Sequence, residues 1–300
     1  MFKGLSAFPL TPIKNGVVNE TAFIRIIRML ASSNVDSIGA LGSTGSYAYL
    51  DTGARKRVAE LAVENAAEIP VIVGVGAVST SEVLKNVRGA EEAAAAGLLL
   101  APMTYQPLTE DEVFELFRTV TDSTELPVVL YDNPGTTHFS FTTELYARIA
   151  ALPGIASIKI PGLSMSDVQM QARVNEIRAA IPDKVTIGIS GDAFAAQGIA
   201  AGCDAWYSVL AGTLPVLAQS ISSSGFSGNF SEALAASDRL QALWNLYFEH
   251  GGSIRVMDAI AQELNLVDSP SCLPLPLKPI SETAKATVRE VLKASDVPLP

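Results

Sequence analysis

A lysine inside an apolar run is the first residue that asks for a chemical explanation. Lys159 lies in GIASIKIPG (154–162), where every neighbour is apolar or small. Lysine is rarely placed in such surroundings. Burial disfavours the ammonium form and so lowers its pKa. The neutral amine that results can attack a carbonyl carbon and form a Schiff base. The competing reading is a strand-end lysine whose head reaches water. Tyr131 ends another apolar run, PVVLYD. A phenol beside such an amine can pass protons to and from a carbinolamine; its bland alternative is a core aromatic with a hydrogen-bonded hydroxyl. Ser43 and Thr44 stand in Gly42-Ser43-Thr44-Gly45, whose hydroxyls and backbone N–H groups could hold a carboxylate. An ordinary turn is the alternative there. A further run ends in Ser190-Gly191-Asp192.

These residues need elements to position them. Strand-like runs fall at Gly4–Leu10, Ser37–Leu41, Val71–Gly76, Leu98–Ala101, Val128–Asp132, Ile155–Ile160, Val185–Ile189 and Ala205–Val209. Their spacing of about 20–35 residues is that of a βα unit. VIVGVG, PVVLYD, ASIKI and VTIGIS are apolar without alternation, as strands buried on both faces are. Helical patterns lie between them at Thr21–Ala31, Thr52–Ala67, Ser81–Ala95, Glu110–Asp122, Thr142–Ala150 and Ser166–Ala180. Asn19, Asp51, Ser79, Thr109 and Ser164 read as N-caps. Glu82 and Glu112 then complete capping boxes with Ser79 and Thr109. The alternation predicts an α/β protein, a TIM (β/α)8 barrel rather than a doubly wound sheet. In that fold the C-terminal strand ends carry the site, which gathers Lys159, Tyr131, the Ser43–Thr44 loop and Gly191 on one face. After Val209 only helices are predicted, at Ala211–Ser222, Glu232–His250, Ser253–Leu264 and Ser281–Ala294. The expected organisation is a barrel with the active site over residues 1–225 and a C-terminal helical extension over 226–300.

Composition narrows the class. The chain has 300 residues, 48% of them hydrophobic and 17% charged, enough for a large core. Its formal net charge of −10 weighs against a nucleic-acid partner. Two cysteines, Cys203 and Cys272, exclude a disulfide scaffold and read as small buried hydrophobes. Two histidines, His138 and His250, cannot build a His-rich metal site, and no metal is expected. His250 reads as a favourable cation at a helix C-terminus, and His138 as a loop residue at the site face. MFKGLSAFPLTP has no long apolar stretch, and Ala93–Met103 is too short and broken to span a bilayer. No membrane partner and a cytoplasmic location are expected. Gly74–Ser79 reads GxGxxS and lacks the third glycine of the dinucleotide fingerprint.

GSTG after the second strand, YDNP after the fifth, IK in the sixth and SGD after the seventh together resemble the dihydrodipicolinate synthase/N-acetylneuraminate lyase family. The resemblance runs over essentially the whole chain, LPLPLKPIS included. It implies a class I lyase that forms a lysine Schiff base with pyruvate or a related 2-oxo acid, with an aldehyde as a second partner in some members. It implies no metal or organic cofactor, and a homo-oligomer, tetramer or dimer. Lys159 falls on the family's Schiff-base lysine and Tyr131 on its proton-shuttling tyrosine. Ser43 and Thr44 fall on the hydroxyl pair that binds the 2-oxo acid carboxylate and connects to that tyrosine, which makes Thr44 a catalytic as well as a binding candidate. Tyr207 falls on a usually aliphatic position beside the lysine; with Gly191 it is expected to contact substrate.

Three departures bear on substrate. The family's glutamate after GxTG is Ser46 here, followed by Tyr47. The arginine that in the synthases holds the carboxylate of the aldehyde is Thr136 here. Losing such charge-assisted pairing is costly, so the synthase reaction proper is disfavoured. The synthases' inter-subunit tyrosine position is Thr104, with Tyr105 next to it as a substitute relay. The primary expectation is a lyase or aldolase catalysing carbon–carbon cleavage, condensation or dehydration. The synthase proper, a sugar-acid or hydroxyproline-pathway dehydratase-aldolase, and a non-catalytic 2-oxo-acid-binding paralogue stay open beside it.

Overall fold

Short apolar strands alternate with helices along the chain, and the computed structural model describes residues 1–295 and 297. Eight parallel strands close into a barrel. They are β1 (Gly4–Ala7), β2 (Ser37–Ala40), β3 (Val71–Gly74), β4 (Gly97–Leu100), β5 (Val128–Tyr131), β6 (Ile155–Ile160), β7 (Thr186–Ile189) and β8 (Ala205–Ser208). Each pairs with the next, and β8 pairs back onto β1. The expected (β/α)8 barrel therefore forms. Every residue of β3, β4 and β5 is buried, which is why these strands read as unbroken apolar runs. Helices pack outside; Phe23, Ile26, Ile27 and Leu30 of the helix Glu20–Ala31 face the barrel.

Most local signals are used as written. Asn19, Asp51, Ser79 and Thr109 cap helices through their side chains. Thr109 and Glu112 form the reciprocal capping box, whereas Ser79 acts through its hydroxyl alone among the described residues. Ser164 is not a cap: Ser166 is, and its box partner is Gln169. The expected helix Glu232–His250 is two helices, Phe230–Asp238 and Gln241–Glu249. At the break the Ser237 carbonyl, which a continuous helix would give to residue 241, accepts from the Leu240 N–H at 2.9 Å and from the buried Trp244 Nε1 at 3.0 Å. The sequence reading missed the short helices, among them Ala195–Ala200 between β7 and β8, and a hairpin of Ile13–Lys14 with Val17–Val18, turned by Asn15 and Gly16, both at positive φ.

Side chains fill the barrel interior below the site. Phe8, Ile72, Leu99, Val129, Ala205 and Tyr207 form one cluster there, and Tyr131 packs on its upper edge. Beyond β8 the chain is helical: Pro215–Phe226, then the two helices above, Ile254–Glu263 and Glu282–Ala294. No helix among the described residues is long and apolar enough to cross a membrane.

Candidate active site

Lys159 and Tyr131 are register partners on adjacent strands, and the backbone N–H of Asp132 donates to the Lys159 carbonyl at 3.0 Å. In a parallel ladder, register partners point to the same side. Both side chains consequently enter the barrel mouth. The Lys159 Nζ lies 3.9 Å from the Phe8 ring centroid and 4.1 Å from that of Tyr131. Lys159 is only 3% exposed, and its ammonium makes no hydrogen bond among the described residues. Burial pulls its pKa down to about 7, with the nearby Asp192 carboxylate opposing part of the shift. Near neutral pH a large fraction of this amine is therefore unprotonated.

Tyr131 sits within a polar cluster. Asn133 Nδ2 donates to its hydroxyl oxygen at 2.8 Å, and Ser43 Oγ lies 3.4 Å away. Asn133 Nδ2 is also 3.2 Å from Ser43 Oγ and 2.6 Å from Thr136 Oγ1. Burial raises the phenol to about 12, while the hydrogen bonds from Ser43 and Asn133 counter it. Asn133 owes its place to Pro134. A residue before proline is kept out of the helical region, and Asn133 has φ −143° just ahead of the short helix Pro134–Thr137.

Thr44 is not hydrogen-bonded to Tyr131. It is buried, and its Oγ1 lies 3.4 Å from Ser253 Oγ. Of the expected hydroxyl pair, only Ser43 reaches the phenol. Ser46 is buried in a left-handed conformation, φ 60°, where the chain turns into the short helix Tyr47–Tyr49. Tyr207 donates to Ser157 Oγ at 2.7 Å, and its ring centroid is 5.6 Å from the Lys159 Nζ. Its ring occupies the space above Gly188, where an added Cβ would come within 2.3 Å of it. Gly191 adopts φ +81°, a conformation glycine takes without strain, as β7 turns toward Asp192. Asp192 is buried and accepts from Trp206 Nε1 at 3.1 Å, Ser208 Oγ at 3.0 Å and the Leu210 N–H at 2.8 Å. Burial nonetheless holds its carboxyl at about 6.

These groups line a cavity of about 690 Å³, within the roughly 300–1,000 Å³ usual for small-molecule sites. Ser43, Thr44, Tyr131, Thr136, Lys159, Gly191 and Tyr207 all border it. Its outer wall comes from two C-terminal helices and the turn between them: Tyr247, Phe248, Gly252, Ser253 and Arg255. Tyr105 is 86% exposed and does not border it within the single chain. His138 is an exposed helix-end residue, also outside it. The sequence reading missed Asn133, although YDNP places an amide two residues after the tyrosine. It also missed the outer wall, for which no local signal exists, since those residues are more than 80 positions from Lys159 in the chain.

A desolvated lysine amine, a partnered phenol and adjacent hydroxyls at a barrel mouth define a Schiff-base-forming lyase. Comparison with known proteins agrees. Residues 1–295 match the dihydrodipicolinate synthetase family. A 4-hydroxy-tetrahydrodipicolinate synthase of Parvibaculum lavamentivorans is 30% identical over 300 residues, covering 98% of this chain and 99% of that one. A solved dihydrodipicolinate synthase from Agrobacterium tumefaciens is 40% identical with a TM-score of 0.93, over 98% of both chains. A structure described as the first monomeric dihydrodipicolinate synthase variant is 28% identical with a TM-score of 0.88, over 99% of this chain and 98% of that one. The chain belongs to the dihydrodipicolinate synthetase family, and is thereby a class I lyase that uses pyruvate or a related 2-oxo acid.

Proposed function

We propose that Lys159 forms the imine with the 2-oxo acid, and that Tyr131 with Ser43 moves its protons. The amine lone pair attacks C2, and the carbonyl π electrons pass to oxygen. Tyr131 passes a proton from the attacking nitrogen to that oxygen to give the carbinolamine, then donates its own proton to the new hydroxyl, which leaves as water; solvent re-protonates the phenolate through Ser43. The iminium left on Lys159 then draws electrons from C3. Cleavage of the C3–C4 bond, loss of a C3 proton or loss of a β-hydroxyl all follow from that one electron sink. The observation that carries this reading is the placement of a desolvated amine against the Tyr131 ring, 4.1 Å from its centroid.

Ser43 and Thr44, on the loop after β2, hold the C1 carboxylate in this reading, and Thr136 and Tyr207 border the rest of the substrate. The relay partner of Tyr131 is Ser43 rather than Thr44. Asn133 is a positioning residue: its donated hydrogen bond occupies the phenol oxygen and turns the phenolic proton toward Ser43 and the lysine. The reaction is a cleavage, condensation or dehydration of a 2-oxo acid, with an aldehyde as the second reactant or product where a carbon–carbon bond is made or broken. The synthase reaction is the second reading. Its similarity to 4-hydroxy-tetrahydrodipicolinate synthases favours it, and the uncharged Thr136 weighs against it. The family resemblance also supports a cytoplasmic homo-oligomer, which light scattering on the purified protein tests.

Borohydride trapping with pyruvate is the direct test. A mass adduct on the peptide containing Lys159 is the expected result. Full trapping by the Lys159→Ala protein would overturn the assignment.

A further inference from the structure

The chain carries 31 acidic and 21 basic residues, yet its central cavity is lined by two cations and one acid. The acid is Asp192, whose oxygens already accept from Trp206, Ser208 and the Leu210 N–H. The cations are Lys159 and Arg255. Lys159 lies at the bottom, 3% exposed. Arg255 is half-buried on the outer wall, in the first turn of the helix Ile254–Glu263. Among the described residues its guanidinium makes one hydrogen bond, to the His250 carbonyl at a long 3.5 Å. No carboxylate lies within 4 Å of it among the described residues, although eleven ion pairs occupy other basic side chains across the molecule.

We infer that Arg255 is a specificity-determining residue that receives an anionic group at the far end of the substrate. A molecule bonded to Lys159 extends outward from the barrel and meets the guanidinium at the mouth. The planar fork of a guanidinium fits a carboxylate through two parallel hydrogen bonds. Ser253, two residues before it, adds a hydroxyl on the same wall. Tyr247 and Phe248 border the same cavity and offer apolar ring surface that suits a short carbon chain. The substrate class is thus a 2-oxo acid, or the adduct of one with an aldehyde, that bears a second carboxylate away from the reacting carbonyl. This rests on the imine reading above and adds the chemistry of the far end.

The test compares borohydride trapping of pyruvate, 2-oxohexanoate and 2-oxoadipate. The last two share six carbons and differ in a terminal methyl against a terminal carboxylate. The wild-type protein should trap 2-oxoadipate on Lys159 more efficiently than 2-oxohexanoate. In Arg255→Met the ratio of 2-oxoadipate to pyruvate trapping should fall on the order of 10- to 100-fold, the loss expected for a charge-assisted pair. Arg255→Lys should restore part of it. A ratio within about twofold of wild type in Arg255→Met, or a wild-type preference for 2-oxohexanoate, would overturn the role of Arg255 alone. Failure of wild-type Lys159 to trap any of the three acids would instead overturn the imine reading, and this inference with it.

Discussion

Tyr131 and Lys159 face each other as register partners across the β5–β6 ladder, and the phenol ring covers the lysine amine at 4.1 Å. One relationship thereby does two things. The ring excludes water from the amine, which lowers its pKa, and the register holds the phenol hydroxyl on the same side of the sheet as that amine, at the barrel mouth.

The first prediction follows from that lowered pKa. Imine formation should rise with pH through about 7, as the ammonium loses its proton, and level off above it. Trapping rates with saturating pyruvate between pH 5 and 9 give the profile. A midpoint near the ordinary lysine value would contradict the burial described here.

The same shift affects stability. The native amine titrates near 7 and the unfolded one near 10.5, so between those values the unfolded chain holds more protons. Stability from this group rises with pH across that window. Lys159→Met removes the buried cation and fills the same space. It should abolish trapping and stabilise the fold by a few kcal/mol at pH 6, with the gain fading as pH approaches 10. Thermal melts of the two proteins across that range provide the check.

Tyr131→Phe keeps the ring over the amine and removes the relay. Adduct formation should persist but slow by roughly 10²- to 10⁴-fold, the usual contribution of a placed acid–base group. Asn133→Ala should have a smaller effect, about tenfold in kcat with little change in KM. The basic limb of its pH profile should move up, because the phenol loses a hydrogen bond that lowers its pKa. A loss confined to KM would argue that Asn133 contacts substrate instead of positioning the phenol.

Gly188→Ala should destabilise the barrel by about 1–3 kcal/mol, since the new Cβ would stand 2.3 Å from the Tyr207 ring inside a closed core. Gly188→Ala combined with Tyr207→Leu should recover much of that loss. Urea unfolding of the single and double variants measures the coupling; strict additivity would disprove the proposed clash.

The sequence by itself determined the barrel and the placement of Lys159 and Tyr131 on adjacent strands at its mouth. Short apolar runs rich in β-branched residues and bounded by turn residues read as strands buried on both faces, and eight strands alternating with helices leave few alternatives. A lysine in such a run, and a tyrosine ending the neighbouring one, were legible because both break the apolar pattern. Local hydrogen-bonding signals fixed most helix starts, and missed the break in Glu232–His250, where the Ser237 carbonyl accepts from the Leu240 N–H and the Trp244 indole. Tertiary structure decided the rest. It gave Tyr131 its contacts with Ser43 and Asn133, and it turned Thr44 toward Ser253, 209 residues away. It also brought Arg255 to the cavity that holds Lys159. Periodicity reports which face of an element is buried, because that depends on neighbours a few residues along. Which hydroxyl meets which, and which charge closes a cavity, depends on the packing of elements far apart in the chain, and a single sequence carries no periodic trace of it.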